Sequence, residues 1–214
     1  MNDRNMIIFI DFDDVLFDKR AFRDEWLKVF TSLGVSPEDS WALYNRTLAT
    51  RTAYDLDLHL ALVREAYPLL DMESLGKQLD AIRAGSRRYV FEESIPFLES
   101  LKQSCRIELV TSGVPRHQEG KIHASGLVPH VGAVHVVPPG GKKSDLLLRL
   151  SPAHRGRFVF IDDITENIEH VKAVFPEACV IQLARYEDQV RSERADAITT
   201  NLYDTIAVIQ EYAQ

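Results

Sequence analysis

The sequence predicts an α/β fold, a Rossmann-like parallel sheet with helices on both faces, accompanied by a small all-helical domain. Three observations carry this. Short continuous β-favouring runs such as Met6-Ile7-Ile8-Phe9-Ile10 have the composition of parallel strands buried on both faces. These runs alternate with segments of helical periodicity, the order that covers a parallel sheet on both sides. One stretch, from about Asp18 to Phe91, breaks the alternation and carries no strand pattern.

Taken in order, the first strand is Met6 to Ile10 and runs straight into Asp11. Phe22, Trp26, Val29, Phe30 and Leu33 then recur at helical spacing. Ser36-Pro37-Glu38-Asp39 marks a second helix start, with a capping Ser followed by Pro at the first helical position. Leu56, Leu60 and Val63 predict a third helix, and Leu75, Leu79 and Ile82 a fourth. Trp26 and Trp41 are expected in the core of this helical segment. Beyond it, strands are expected at Arg106 to Val110, Ala133 to Val137, Phe158 to Ile161, Ala178 to Ile181 and Asp196 to Thr199. The intervening helices fall at Ile95 to Gln103, His117 to Ser125, Ser144 to Leu150, Thr165 to Val174 and Leu202 to Tyr212. The expected division is residues 1–17 with 92–214 as the α/β domain and 18–91 as the helical one.

Composition narrows the function. The 214 residues are 45% hydrophobic and 27% charged, an ordinary globular balance. The net charge of -7 argues against a protein that neutralises nucleic-acid phosphates. Two cysteines, Cys105 and Cys179, build neither a disulfide framework nor a four-cysteine zinc site, and sit where a thiol packs as a small hydrophobe. The apolar run near the start is too short for a membrane span or a signal segment, so a cytoplasmic protein with no membrane partner is expected. Oligomeric state leaves no trace in the sequence.

In an open parallel sheet, ligands bind at the carboxyl ends of the strands. Those ends deliver Asp11-Phe12-Asp13-Asp14, Thr111-Ser112-Gly113 and Asp162-Asp163, and Gly140-Gly141-Lys142-Lys143-Ser144 precedes a helix. Carboxylates converging on one sheet edge repel unless a cation sits among them, and Mg²⁺ suits this ligand set. The lysine segment is not a phosphate-binding P-loop, because Val136 stands where that loop needs its first Gly and a second Lys precedes Ser144. No two histidines stand at helical metal-ligand spacing, and Arg46, Arg51, Arg87 and Arg88 read more readily as solvated helix faces than as substrate contacts from the insert.

The order of these segments resembles the haloacid dehalogenase (HAD)-like hydrolase superfamily, in its phosphatase branch with a helical cap inserted after the first motif. The four motifs are an apolar strand with Asp-x-Asp (Ile7 to Asp13), a strand-ending Thr (Val110-Thr111), a Lys ahead of a helix, and a strand-ending acidic pair (Phe160 to Asp163). The resemblance implies that Asp11 attacks phosphorus to form an aspartyl-phosphate, with Asp13 as general acid and base. Thr111 and the adjacent Ser112 would hold phosphoryl oxygens, and Lys143 would add positive charge. Lys143 is preferred to Lys142 because its register turns Leu147 and Leu150 to the core. Mg²⁺ would be held by Asp11, by the main-chain carbonyl of Asp13 and by Asp162, with Asp163 behind them or as an added ligand. The substrate implied is a small phosphorylated metabolite, its leaving group read by the cap. One departure is Asp13-Asp14-Val15, where many members carry Gly-Thr after the second Asp. A phosphomutase shares all four motifs, an inert phosphate- or partner-binding member would keep them, and a dehalogenase would not need Asp13. A receiver-type signalling module would place its acidic pair first rather than last.

Overall fold

The computed structural model describes residues 6–51, 53–150 and 158–213. Six strands form one fully parallel sheet: β1 (Met6–Ile10), β2 (Cys105–Ser112), β3 (Ala133–Val137), β4 (Val159–Asp162), β5 (Cys179–Leu183) and β6 (Ala197–Thr199). Their order across the sheet is β3-β2-β1-β4-β5-β6, so the winding direction reverses at β1. Such a reversal opens a crevice beyond the strand ends.

The strand-free stretch folds as four helices: α1 (Lys19–Ser32), α2 (Pro37–Arg51), α3 (Leu56–Ala66) and α4 (Met72–Ala84). Each start carries its own cap. The side chains of Asp18, Ser36, Asp55 and Asp71 accept from the backbone N–H groups of Ala21, Asp39, Leu58 and Ser74, filling donors that a helix leaves free at its first turn. The remaining helices are α5 (Ser94–Leu101), α6 (Pro115–Ser125), α7 (Lys143–Leu150), α8 (Thr165–Val174) and α9 (Leu202–Tyr212).

Alternate residues of β1 enter different apolar clusters, Ile7 and Phe9 on the side of α7 and α8, Ile8 and Ile10 on the other. The second cluster is continuous with Phe22, Trp26 and Phe30 of α1 and Leu75 and Leu79 of α4, so the helical insert and the sheet share a core. Trp41 departs from expectation. It is 41% exposed, because α2 turns Ser40, Leu43 and Thr47 inward, and the Arg23 guanidinium lies over its ring. β2 runs to Ser112, two residues past the expected end, because Thr111 and Ser112 stay paired with Val136 and Val137. Cys105 and Cys179 are buried and free. No described helix is long and apolar enough to cross a membrane.

Candidate active site

Register brings the acids together. Ile10 of β1 pairs with Ile161 of β4 on one side and Leu109 of β2 on the other. The next residues, Asp11 and Asp162, therefore emerge side by side, fixed by a 2.9 Å bond from the Asp11 N–H to the Ile161 carbonyl. One ligand atom from each of Asp11, Asp162 and Asp163 can be chosen so that all lie within 4.8 Å, and all three residues are buried.

Lys143, the first residue of α7, is 2% exposed and inserts between two of these acids. Its Nζ is 2.7 Å from Asp11 Oδ1 and 2.6 Å from Asp162 Oδ2. Burial disfavours its charge, yet Asp11 and Asp162 outweigh that and raise its pKa above the ordinary lysine value. Lys142 is exposed, so the structure assigns the buried position to Lys143. Asn167 of α8 and the Ile164 N–H complete the bonding of Asp162. Asp11 is pushed up to about 6 by burial and by Asp162, against the pull of Lys143; above that pH it is the carboxylate a nucleophile must be.

One lysine does not balance three carboxylates. Like charges 4 Å apart cost about 4 kcal/mol at an effective dielectric of about 20. Asp163 shows the consequence: burial first, then Asp162 and Asp11, push it up to about 8. Its Oδ2 accepts from Gln189 Nε2 at 3.2 Å, while its buried Oδ1 has no hydrogen-bond partner. Asp11 Oδ1 likewise receives no hydrogen bond of good geometry, despite its close approach to Lys143. Hard, buried oxygen donors left unsatisfied beside one another fit a divalent cation such as Mg²⁺.

Asp13 faces different neighbours. Lys121 Nζ lies 2.7 and 3.0 Å from its two carboxylate oxygens, and Gln118 Nε2 donates to it at 3.1 Å. The same amide group donates to Thr111 Oγ1 at 2.8 Å, linking the first and second motifs. Burial alone would raise Asp13, but Lys121 and Lys19 together hold its carboxyl below the usual range. Lys19, at the start of α1, is paired with Asp14 at 2.9 Å. Burial opposes its charge, but Asp13, Asp14 and Asp163 prevail and raise its pKa.

Asp14 explains the departure from the Gly-Thr pattern. Its φ is +59°, a left-handed conformation natural to glycine. Asp is among the residues that tolerate it, and here its carboxylate is held by the Lys19 N–H at 3.1 Å as well as by the Lys19 amine. Glycine's freedom is replaced by side-chain bonds.

Asp11, Asp13, Thr111, Lys143, Asp162 and Asp163 thus meet at one sheet edge. Ser112 is exposed at the end of β2, adjacent to Thr111 but outside their hydrogen-bond network. Lys19, Gln118, Lys121, Asn167 and Gln189 escaped the sequence reading. For α6 there was a signal: Gln118, Lys121, Ile122 and Ser125, the buried positions, follow one helical stripe, and a lysine on such a stripe needs a partner. Arg87 and Arg88 are exposed, as is Arg46, whereas the Arg51 side chain lies outside the described residues. A cavity of about 250 Å³ lies between α3, α4 and the start of α6, with Leu56, Leu79, Val114 and His117 among its walls. None of the six converging residues lines it, but His117 directly precedes Gln118.

No protein-family model matches the sequence, and no curated protein matches it. Solved structures do. One, a HAD-like hydrolase assignment from Burkholderia xenovorans LB400, superposes with a TM-score of 0.77 over 99% of both chains at 16% identity. A second, the HAD-hydrolase YfnB from Bacillus subtilis bound to magnesium, has a TM-score of 0.69, 14% identity, and coverage of 96% of this chain and 99% of its own. A third, a 2-haloacid dehalogenase from Pseudomonas syringae pv. Tomato DC3000, has a TM-score of 0.62, 17% identity, and coverage of 97% and 99%. At these identities the likeness establishes the fold they share with this chain.

Proposed function

We propose that this chain, which has the haloacid dehalogenase-like hydrolase fold, belongs to that superfamily and is a metal-dependent phosphohydrolase of small phosphate monoesters. The observation that carries the reading is the buried Asp11, Asp162 and Asp163 group, with ligand atoms within 4.8 Å of one another and an orphaned Asp163 Oδ1. A carboxylate displacing halide from carbon needs no divalent cation; one attacking a phosphate dianion does, because the two anions repel.

The holders of Mg²⁺ would be the Asp11, Asp162 and Asp163 carboxylates with the main-chain carbonyl of Asp13. When bound, the ion supplies charge neutralisation and polarises a phosphoryl oxygen. The chain does the rest. Asp11, anionic above about pH 6, forms a bond to phosphorus as the ester oxygen departs. Lys143 places an ammonium beside the transferring group, and the Thr111 hydroxyl, oriented by Gln118, holds a phosphoryl oxygen.

Asp13 is anionic in the ligand-free protein because Lys121 and Lys19 outweigh burial. That form suits the second half-reaction, in which it takes a proton from water as water attacks the aspartyl-phosphate. For the first half it must arrive protonated, and the negative charge of an incoming phosphate raises its pKa in that direction. Substrate binding is accordingly accompanied by proton uptake. The helical insert acts as a cap, and the near-complete burial of Asp11, Lys143 and Asp162 keeps bulk water from the intermediate.

The test is phosphate release from a panel of phosphate monoesters, with Mg²⁺ or with chelator, for the wild type and Asp11→Asn. The expected result is activity that requires the metal and falls by at least about 10³-fold in the variant. Chelator-resistant turnover, an active Asp11→Asn protein, or halide release from 2-haloacids without phosphatase activity would overturn the reading.

A further inference from the structure

The loop after β5 contacts the turn that follows Asp13, the helical insert and Asp163, and Arg185 is its centre. The Arg185 side chain is 10% exposed. Its Nε donates to the Asp14 carbonyl at 3.2 Å and its Nη2 to the Val15 carbonyl at 2.7 Å. Its Nη1 pairs with Glu93 Oε1 at 2.6 Å, and its guanidinium lies 3.9 Å from the centroid of the Phe91 ring.

These partners belong to the two segments by which the chain leaves the sheet for the helical insert and returns. The segments are themselves paired: the Asp18 N–H bonds the Tyr89 carbonyl at 2.7 Å and the Phe91 N–H bonds the Leu16 carbonyl at 3.1 Å. Arg185 comes from neither. It reaches across from the far half of the sheet and grips both, the outgoing one at the left-handed Asp14 turn directly after Asp13. The same loop also binds the insert through Asp188, paired with Arg20 at 2.8 Å, and the acid group through Gln189, bonded to Asp163.

We infer that Arg185 is a positioning residue: it holds the Asp13-Asp14-Val15 turn that follows Asp11 and couples the two segments on which the insert is mounted. Its effect on catalysis rests on the phosphohydrolase reading; its effect on the mounting segments does not. A planar guanidinium suits the task because three separate nitrogens in a fixed fork meet two adjacent carbonyls and a carboxylate, whereas an ammonium must serve all its acceptors from one nitrogen.

The experiment compares the wild type, Arg185→Gln and Arg185→Lys by amide hydrogen exchange without substrate and by steady-state kinetics on p-nitrophenyl phosphate with Mg²⁺. Arg185→Gln is expected to speed exchange by about tenfold or more in both segments, 14–18 and 89–93, while α7 and α8 keep their protection. Its kcat should fall by at least about tenfold with KM within about threefold. Arg185→Lys, which keeps the charge and loses the fork, should fall between the two, and it carries the test should Arg185→Gln fail to fold. Exchange rising uniformly along the chain, or in one segment only, overturns the coupling. A kcat within about twofold of wild type overturns the positioning role. If the wild type hydrolyses no phosphate ester, the phosphohydrolase reading falls while the exchange arm still decides whether Arg185 couples the segments.

Discussion

Lys121 Nζ lies 2.7 Å from Asp13 Oδ1, closing an ion pair between residues 108 positions apart whose side chains are 4% and 16% exposed. The amine also stands about 5.5 Å from the ring centroids of Phe12, Phe17 and Phe22. A lysine amid three phenyl rings is tolerable because a carboxylate meets it and the ring faces carry negative potential.

Lys121→Met therefore leaves the largely buried Asp13 anion without its closest cation. Removing one partner of a buried pair costs about 3–5 kcal/mol, read by urea unfolding at pH 7. The sign with pH follows from the lowered Asp13 pKa: the pair's stabilisation is full above the unfolded carboxyl value of 3.8 and is lost as pH falls through the lower folded value. The gap between wild type and variant should thus narrow toward pH 3. A gap that widens in acid would contradict the assignment.

Asp13→Asn tests proton delivery. The leaving group of an alkyl phosphate is a basic alkoxide that needs the acid, so kcat on such an ester should drop by about 10²–10⁴-fold. p-Nitrophenolate is a good leaving group, and its ester should lose far less in a burst measurement of the first half-reaction. Equal losses in that burst would deny Asp13 the role of acid.

Asp163→Asn should stabilise the metal-free protein in base. With its folded pKa at about 8, Asp163 keeps a proton between pH 3.8 and 8 that the unfolded chain has released, so by linkage stability falls as pH climbs through that window. Above pH 8 with chelator, the variant should melt higher, each 1 kcal/mol being worth about 2–4 °C, and the advantage should vanish toward pH 4. Saturating Mg²⁺ should stabilise the wild type, by about 2.7 kcal/mol at 100 times Kd, and the variant much less. Thermal melts across pH decide both points.

Gly113→Ala attacks the second motif without touching a charged group. Gly113 has φ +153°, and a Cβ there would lie 2.7 Å from Gln118 Cγ. Displacing Gln118 loosens both Asp13 and Thr111, so kcat should fall by about tenfold or more, with about 1–3 kcal/mol lost to backbone strain. Full activity with unchanged stability would show that Gln118 does not organise the site.

The strands β1, β4 and β5 were legible because a strand buried on both faces leaves an unbroken β-favouring apolar run, and the helices because an amphipathic helix leaves a 3.6-residue rhythm. The Lys143 register was legible for the same reason: Leu147 carries the buried face of α7 and fixes where the helix begins. Trp41 was misplaced because aromatic bulk suggests burial, whereas the phase of Leu43 and Thr47 decides which face of α2 turns in. Lys19 and Arg185 left little trace, since a basic residue on a helix or loop reads as solvated until its distant acceptor is known, whereas Lys121 could be traced only through the buried stripe of α6.

By itself the sequence determined the parallel α/β architecture, the helical interruption after β1 and the acids delivered at the ends of β1 and β4, all of which are local patterns of period and polarity. Only the tertiary structure decided that Lys143 stands between Asp11 and Asp162, that Lys121 and Gln118 hold Asp13, and that Arg185 binds the carbonyls of Asp14 and Val15. Those choices depend on pairings across 100 or more residues in some cases, where the cost of burying a charge is met by a partner that folding, not sequence proximity, brings within reach.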